Sequence, residues 1–255
     1  MIDMGAPGQF ERSVENVKRV HDLASPETAR KGKDWYGTVH EAVSKGIKGT
    51  SLDIHRGAGV VAAVSPNMDW EKRNIDAFHE IKHLKPADWA AIHTSAASKI
   101  GRTPEAEDVL KGLSISAATD SGLVKAHRLI QGEDVDSVLR RQTAPKTNAF
   151  AHNIAEPDHA GHVTIDGRAH DIAANRLQGW TQQRGIGSAG LKTGKTTRYE
   201  HFENAYRTAA GERGVLPHEM QAITWEQGKT MERAGTTKAG TPRKVGVRRA
   251  GQPYV

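Results

Sequence analysis

Apolar residues recur along this chain at steps of three and four, the period of a helix with one buried face. Phe10, Val14, Val17, Val20 and Leu23 form the first stripe, and Trp35, Val39, Val43 and Ile47 the next, ending near Gly46 and Gly49. Between them, Ser25-Pro26-Glu27 reads as a helix start, with serine as cap and proline in the first turn. Residues 59–64, GVVAAV, are apolar all round and predict a buried helix. Further stripes follow at Ile75, Phe78, Ile81 and Leu84, and at Trp89, Ile92, Ala96 and Ile100 after Pro86. Thr103-Pro104-Glu105 is a second cap-and-proline start, leading to Val109 and Leu110. Leu123, His127 and Ile130 continue the pattern, and Tyr199, Phe202 and Tyr206 mark a late helix. Pro217, Met220, Ile223 and Trp225 mark the last. His162 to Ile165 is the one short extended stretch, and the glycine-rich run 179–198 reads as a surface loop. The expectation is an all-α fold of about ten short helices.

Composition narrows the class. Among 255 residues there is no cysteine, which excludes disulfides, iron–sulfur clusters and thiolate zinc sites. No apolar run approaches the roughly 20 residues that span a bilayer, and the N-terminus lacks a signal peptide's apolar stretch. A soluble cytoplasmic protein with no membrane partner is the expectation. Residues 229–255 hold Lys229, Arg233, Lys238, Arg243, Lys244, Arg248 and Arg249 against the single acid Glu232. The whole formal surplus of +6 therefore sits there, and the segment reads as a basic flexible tail suited to phosphate contact. The domain reading is N-terminal helices over 1–50, a helical core over 51–228 and the tail over 229–255.

Three motifs suggest metal or nucleotide chemistry. His79-Glu80-Ile81-Lys82-His83 has the H-E-x-x-H pattern of zinc peptidases. Lys82 and Lys85 crowd it with cations, no third ligand follows, and a charged solvent face is the preferred reading. Ala189 to Thr196, AGLKTGKT, satisfies a relaxed phosphate-loop pattern, but no buried strand precedes it. A basic loop touching nucleic-acid phosphates, through Lys192, Lys195 and Arg198, fits better. His152, His159, His162 and His170 cluster along the sequence and read as surface or supporting groups, not as a metal site.

The stretch from Arg141 to Leu177 carries the most chemistry. A Lys-Thr pair opens a helix in KTNAFAHNI, and an apolar triplet then delivers Asp166 to another helix start in VTIDGRAHDIA, 20 residues after Lys146. Upstream, VVAAVSPNMDWEKRNIDAF ends an apolar helix at Ser65 and Asn67. In this order the two stretches resemble the helix-hairpin-helix DNA glycosylase superfamily. Its members show L-P-G-V-G-x-K-T-A, an apolar helix, then V-D-T-H. The resemblance implies Lys146 as the family lysine, Asp166 as the catalytic aspartate, Ser65 at the early turn and Asn67 as a duplex wedge. It frames residues 54–178 and implies DNA with a flipped base as partner and no cofactor. Gln142 and Ala144 replace the hairpin glycines, which makes the hairpin degenerate, and Gly167-Arg168-Ala169 replaces the residues after the aspartate. Gln142, Thr143, Thr147 and Arg168 are the remaining expected DNA contacts. A looser similarity is to phage enzymes that hypermodify thymine, the α-glutamyl/putrescinyl thymine pyrophosphorylases and amino acid:DNA transferases, in a phage-infected host cytoplasm.

The chemistry implied is base-directed. A base must leave the stack before it is reached. A fixed carboxylate such as Asp166 stabilises the positive charge that builds on the sugar as the N-glycosidic bond breaks. A desolvated lysine in the place of Lys146 attacks the sugar carbon. In the transferase alternative, Asp166 orients an incoming amine and Arg168 neutralises a leaving phosphate. A non-catalytic DNA-binding protein is a further alternative, favoured by the missing glycines. Trp70 and Trp180 are candidates to stack on a base.

Overall fold

The computed structural model describes residues 6–66, 74–99, 101–175, 192–193 and 196–233. The fold is all-α. Its helices are α1 (Gln9–Asp22), α2 (Pro26–Lys33), α3 (Trp35–Gly46), α4 (Ile54–Val64), α5 (Asn74–Ile81), α6 (Pro86–Ala97) and α7 (Pro104–Leu110). After a 3-10 turn at Ser114–Ala117 come α8 (Asp120–Ile130), α9 (Val135–Val138), α10 (Pro145–Ala155), α11 (Gly167–Ala173), α12 (Arg198–Arg213) and α13 (Pro217–Arg233).

The helix starts follow from local chemistry. The Ser25 hydroxyl accepts from the Thr28 N–H at 3.1 Å, with Pro26 in the first turn. Thr103 and Asp53 cap α7 and α4 in the same way. The apolar run 59–64 lies in α4, which starts earlier than the run itself and buries every residue from Gly57 to Val64. A helix apolar all round needs neighbours on all sides. α4 has them, packing on α3, α5, α8 and α10.

The core has two parts. One gathers around α4 and includes Tyr36, Val61, Phe78, Leu129, Phe150 and Ala222. The other joins Val14, Val17 and Val20 of α1 to Val163, Ile165, Ile172, Phe202, Tyr206 and Met220. α13 contributes Ala222 to the first and Met220 to the second, so it ties the two together. α2 lies against α13 with Gly32 over Ile223, where an added Cβ would overlap the Ile223 backbone.

Several expectations change here. The stretch His162 to Ile165 is extended but joins no sheet. The Tyr199 hydroxyl takes the place of a partner strand, accepting from the Ile165 N–H at 3.1 Å and donating to the Val163 carbonyl at 2.8 Å. The run 179–198 is not loop throughout: Lys192–Thr193 pairs antiparallel with Thr196–Thr197, and Arg198 begins α12. Helices α1 to α3 do not stand apart as residues 1–50. α1 packs on α11, α12 and α13, and α2 and α3 pack on α13. The last helix runs to Arg233, so Lys229 and Arg233 belong to it and not to a tail. Among the described residues, no helix is long and apolar enough to cross a membrane.

Candidate functional site

A pocket of about 170 Å³ opens where the two halves of the core meet. Five segments line it. α3 supplies Trp35 and Tyr36, the end of α4 supplies Ser65, and α10 supplies Lys146 and Phe150. The extended stretch supplies Thr164 and Asp166, and α13 supplies Gln221, Ala222 and Trp225. One wall is aromatic: the Trp35 ring meets Tyr36 edge-on at 4.7 Å and Phe150 at 5.9 Å.

Asp166 caps α11, its Oδ1 accepting from the Ala169 N–H at 2.8 Å. Its Oδ2 accepts from the Trp225 indole N–H at 3.0 Å. These two donors fix the direction of the carboxylate while leaving lone pairs on both oxygens. Trp225 is flanked by cations: the Arg168 guanidinium lies 4.7 Å and the Lys229 ammonium 4.6 Å from its ring. Glu226 joins Lys229 at 3.2 Å and Lys31 at 3.0 Å, anchoring α2 beside the same wall. Lys146 lies in the first turn of α10, half-buried, and no hydrogen bond or ion pair holds its amine among the described residues.

Behind Asp166, one turn along α11, His170 is fully buried. An arginine can only donate, so His170 Nε2 accepts from Arg198 at 2.7 Å. Nδ1 therefore carries the proton and donates to the Asp171 carboxylate at 3.0 Å. Burial pushes His170 below the ordinary imidazole range. The arrangement ties the helix that Asp166 caps to the start of α12.

Of the residues singled out from the sequence, Ser65, Lys146 and Asp166 line this one pocket. Arg168 packs on its wall through Trp225. Gln142 and Thr143 are exposed on the turn between α9 and α10, and Thr147 is half-buried in the first turn of α10. That turn is built without left-handed residues. The Thr143 and Ala144 N–H groups both donate to the Arg140 carbonyl, at 3.1 and 2.8 Å. They are consumed inside the turn. Arg198 is a correction: it is buried against His170 and is not part of an exposed basic loop. Lys192 lies in the short ladder, paired with Thr197. Asn67, Lys195, Arg243, Lys244, Arg248 and Arg249, together with Trp70 and Trp180, fall outside the described residues.

The motifs set aside also find their places. α5 ends at Ile81, so His83 leaves the helix and does not share a face with His79. Glu80 accepts from the Ile115 N–H at 3.2 Å, which is a structural bond. Thr196 of the phosphate-loop pattern sits in a strand, where that loop requires the opening of a helix. His152 and His162 stack as parallel rings 4.5 Å apart, with His152 bonded to Asp136 at 2.9 Å. Among the described residues, no three His, Asp or Glu side chains converge to hold a metal ion.

Sequence reasoning missed Trp35, Tyr36, Phe150, Thr164, Gln221 and Trp225 as pocket residues. Trp35 and Trp225 lie on stripes read as core, and only tertiary packing separates a core aromatic from one lining a cavity; Tyr36, Thr164 and Gln221 carry no local signal at all.

The chain belongs to a family of unknown function, DUF7178, whose model matches residues 2–230. No curated protein and no solved structure matches it.

Proposed function

Starting from that family membership, which names no activity, we propose that this chain is an enzyme that acts on a flipped base in DNA by cleaving its N-glycosidic bond. The observation that carries the reading is the meeting of Lys146 and Asp166 in one pocket with an aromatic wall. A flat apolar wall suits the face of a base, and the two charged groups suit the sugar. The Asp166 carboxylate, held by Ala169 and Trp225, stands as a fixed negative charge toward the cation that develops on the sugar. The Lys146 amine attacks the sugar carbon as the base departs with the bonding electrons, leaving an imine between lysine and the opened sugar.

The imine gives a direct test. Borohydride reduction during incubation with a base-bearing oligonucleotide is expected to leave a covalent protein–DNA adduct. Lys146→Gln should lose that adduct while binding the oligonucleotide. An adduct formed equally by Lys146→Gln would remove Lys146 from the reaction.

A second reading is transfer of an amine or amino acid onto an activated thymine or hydroxymethyluracil. It is supported by Arg168 and Lys229 against Trp225, beside Asp166, where cations would neutralise a leaving phosphate. The partner in both readings is DNA, and both locate the chemistry at the same carboxylate.

A further inference from the structure

Gln221 lines the pocket yet is only 5% exposed, and its oxygen is already spoken for. The Tyr36 hydroxyl donates to Gln221 Oε1 at 3.0 Å. Both side chains are buried. The bond therefore holds the Gln221 amide with its carbonyl oxygen toward Tyr36.

Burial pushes the Tyr36 hydroxyl above the ordinary phenol range, so it remains a donor at every working pH. The outcome is that Gln221 turns its amide nitrogen, with two N–H donors, to the cavity. Among the described residues that nitrogen has no partner.

We propose that Gln221 is a specificity-determining residue that selects bases carrying a carbonyl oxygen on the edge it meets. The proposal rests on the base-directed reading above and narrows it to a substrate class. Uracil, thymine, guanine and hypoxanthine supply an acceptor at that edge. Cytosine and adenine place an exocyclic amine there and set donor against donor. A site built to donate rejects the mismatched analogue strongly, because its buried groups are then left unpaired. Tyr36 acts through Gln221 as a positioning residue.

The test compares short single-stranded oligonucleotides that differ at one central base, uracil against cytosine and hypoxanthine against adenine. The target nucleotide carries a 2′-fluorine, which resists glycosidic cleavage, and an abasic strand serves as reference. Binding to the full chain is read by fluorescence anisotropy. Wild type is expected to prefer each carbonyl base by about tenfold or more. Gln221→Glu, which replaces the donor edge with an acceptor, is expected to abolish or reverse that preference. Tyr36→Phe removes the hydroxyl that orients the amide and should bring the preference toward unity. Thermal melts of both variants confirm that they fold, and Gln221→Met supplies an apolar replacement of similar size. Equal wild-type affinity for uracil and cytosine strands, both tighter than the abasic strand, would overturn the role of Gln221 and leave the base-directed reading standing. A preference that survives in the Gln221 and Tyr36 variants would also overturn it. Strands bound no better with any base than without one would remove the base-directed reading, and this proposal with it.

Discussion

At Asp166 the two carboxylate oxygens are held by different parts of the molecule, one by the helix it caps and the other by the Trp225 indole of α13. The residues leading into it are equally constrained. His162 opens the extended stretch, stacked on His152 and beside Arg141. Burial, followed by the charges of His152, Arg141, Arg207 and His159, pushes His162 down to about 4. Its unfolded value is the ordinary 6.5, so between pH 6.5 and 4 the unfolded chain binds the proton that the folded one refuses. Stability is therefore fully present above about 6.5 and is lost as pH falls toward 4. His127, His170, His201 and His218 shift the same way, each chiefly by burial. The carboxylates held low, such as Asp22 beside Arg213 and Asp136 beside His152, act only below this window. Melting temperatures measured from pH 7.5 to 4.5 are expected to fall steadily, and His162→Gln should flatten part of the slope. A melting temperature independent of pH over that range would contradict the burial of these rings.

Between elements, α2 packs against the helix that carries Gln221, Ala222 and Trp225. A Cβ added at Gly32 would fall on the backbone of Ile223, which lies between the pocket residues Ala222 and Trp225. Gly32→Ala forces the two helices apart and is expected to cost about 1–3 kcal/mol of stability, as overpacking does. Denaturant unfolding of the variant reads this directly, and an unchanged midpoint would mean that the helices do not approach as described. The boundaries of these elements were legible where capping chemistry marks them, as at Ser25-Pro26 and Thr103-Pro104, and where apolar spacing is regular, as in α1, α3 and α8. The role of Gly32 was not, because a close approach between helices far apart in sequence leaves no local signal. Nor was the end of α5 at Ile81, since the apolar stripe continues to Leu84 through a turn in which the His83 and Leu84 N–H groups bond three residues back, to Glu80 and Ile81. Three of the ten residues lining the pocket were legible. Ser65, Lys146 and Asp166 stand out by residue type and order, whereas Tyr36 and Gln221, 185 residues apart, meet only through tertiary packing.

Over the whole molecule, α1 to α3 are part of the same body as the pocket. Removing residues 1–50 would remove Trp35 and Tyr36 from it and Val14, Val17 and Val20 from the core. With α13 running to Arg233, the basic segment begins at residue 234 and holds Lys238, Arg243, Lys244, Arg248 and Arg249 with no acid. Deleting residues 234–255 is expected to weaken DNA binding and to reduce its dependence on salt, since each lost phosphate contact lowers the slope by about one. A salt slope identical to that of the full chain would exclude the segment from DNA contact. Lys229, counted with this segment on charge alone, is committed to Glu226 and the Trp225 ring, and the deletion leaves it in place.

The central claim is that the Asp166 pocket carries out chemistry on a base in DNA. Nucleoside mass spectrometry tests it most directly, on DNA containing thymine, hydroxymethyluracil and its phosphorylated forms, treated with wild type and with Asp166→Asn in the presence and absence of added polyamines and amino acids. Asparagine also caps helices but carries a single acceptor oxygen, so it keeps the α11 cap and leaves the Trp225 N–H without its acceptor; the variant, its fold checked by a thermal melt, is expected to lose ~10²-fold or more in rate. With wild type, the account expects either a free base released into solution, meaning excision, or a heavier nucleoside retained in the strand, meaning transfer, and neither with the variant. Unchanged nucleosides after wild-type treatment, or an Asp166→Asn protein as active as wild type, would contradict it.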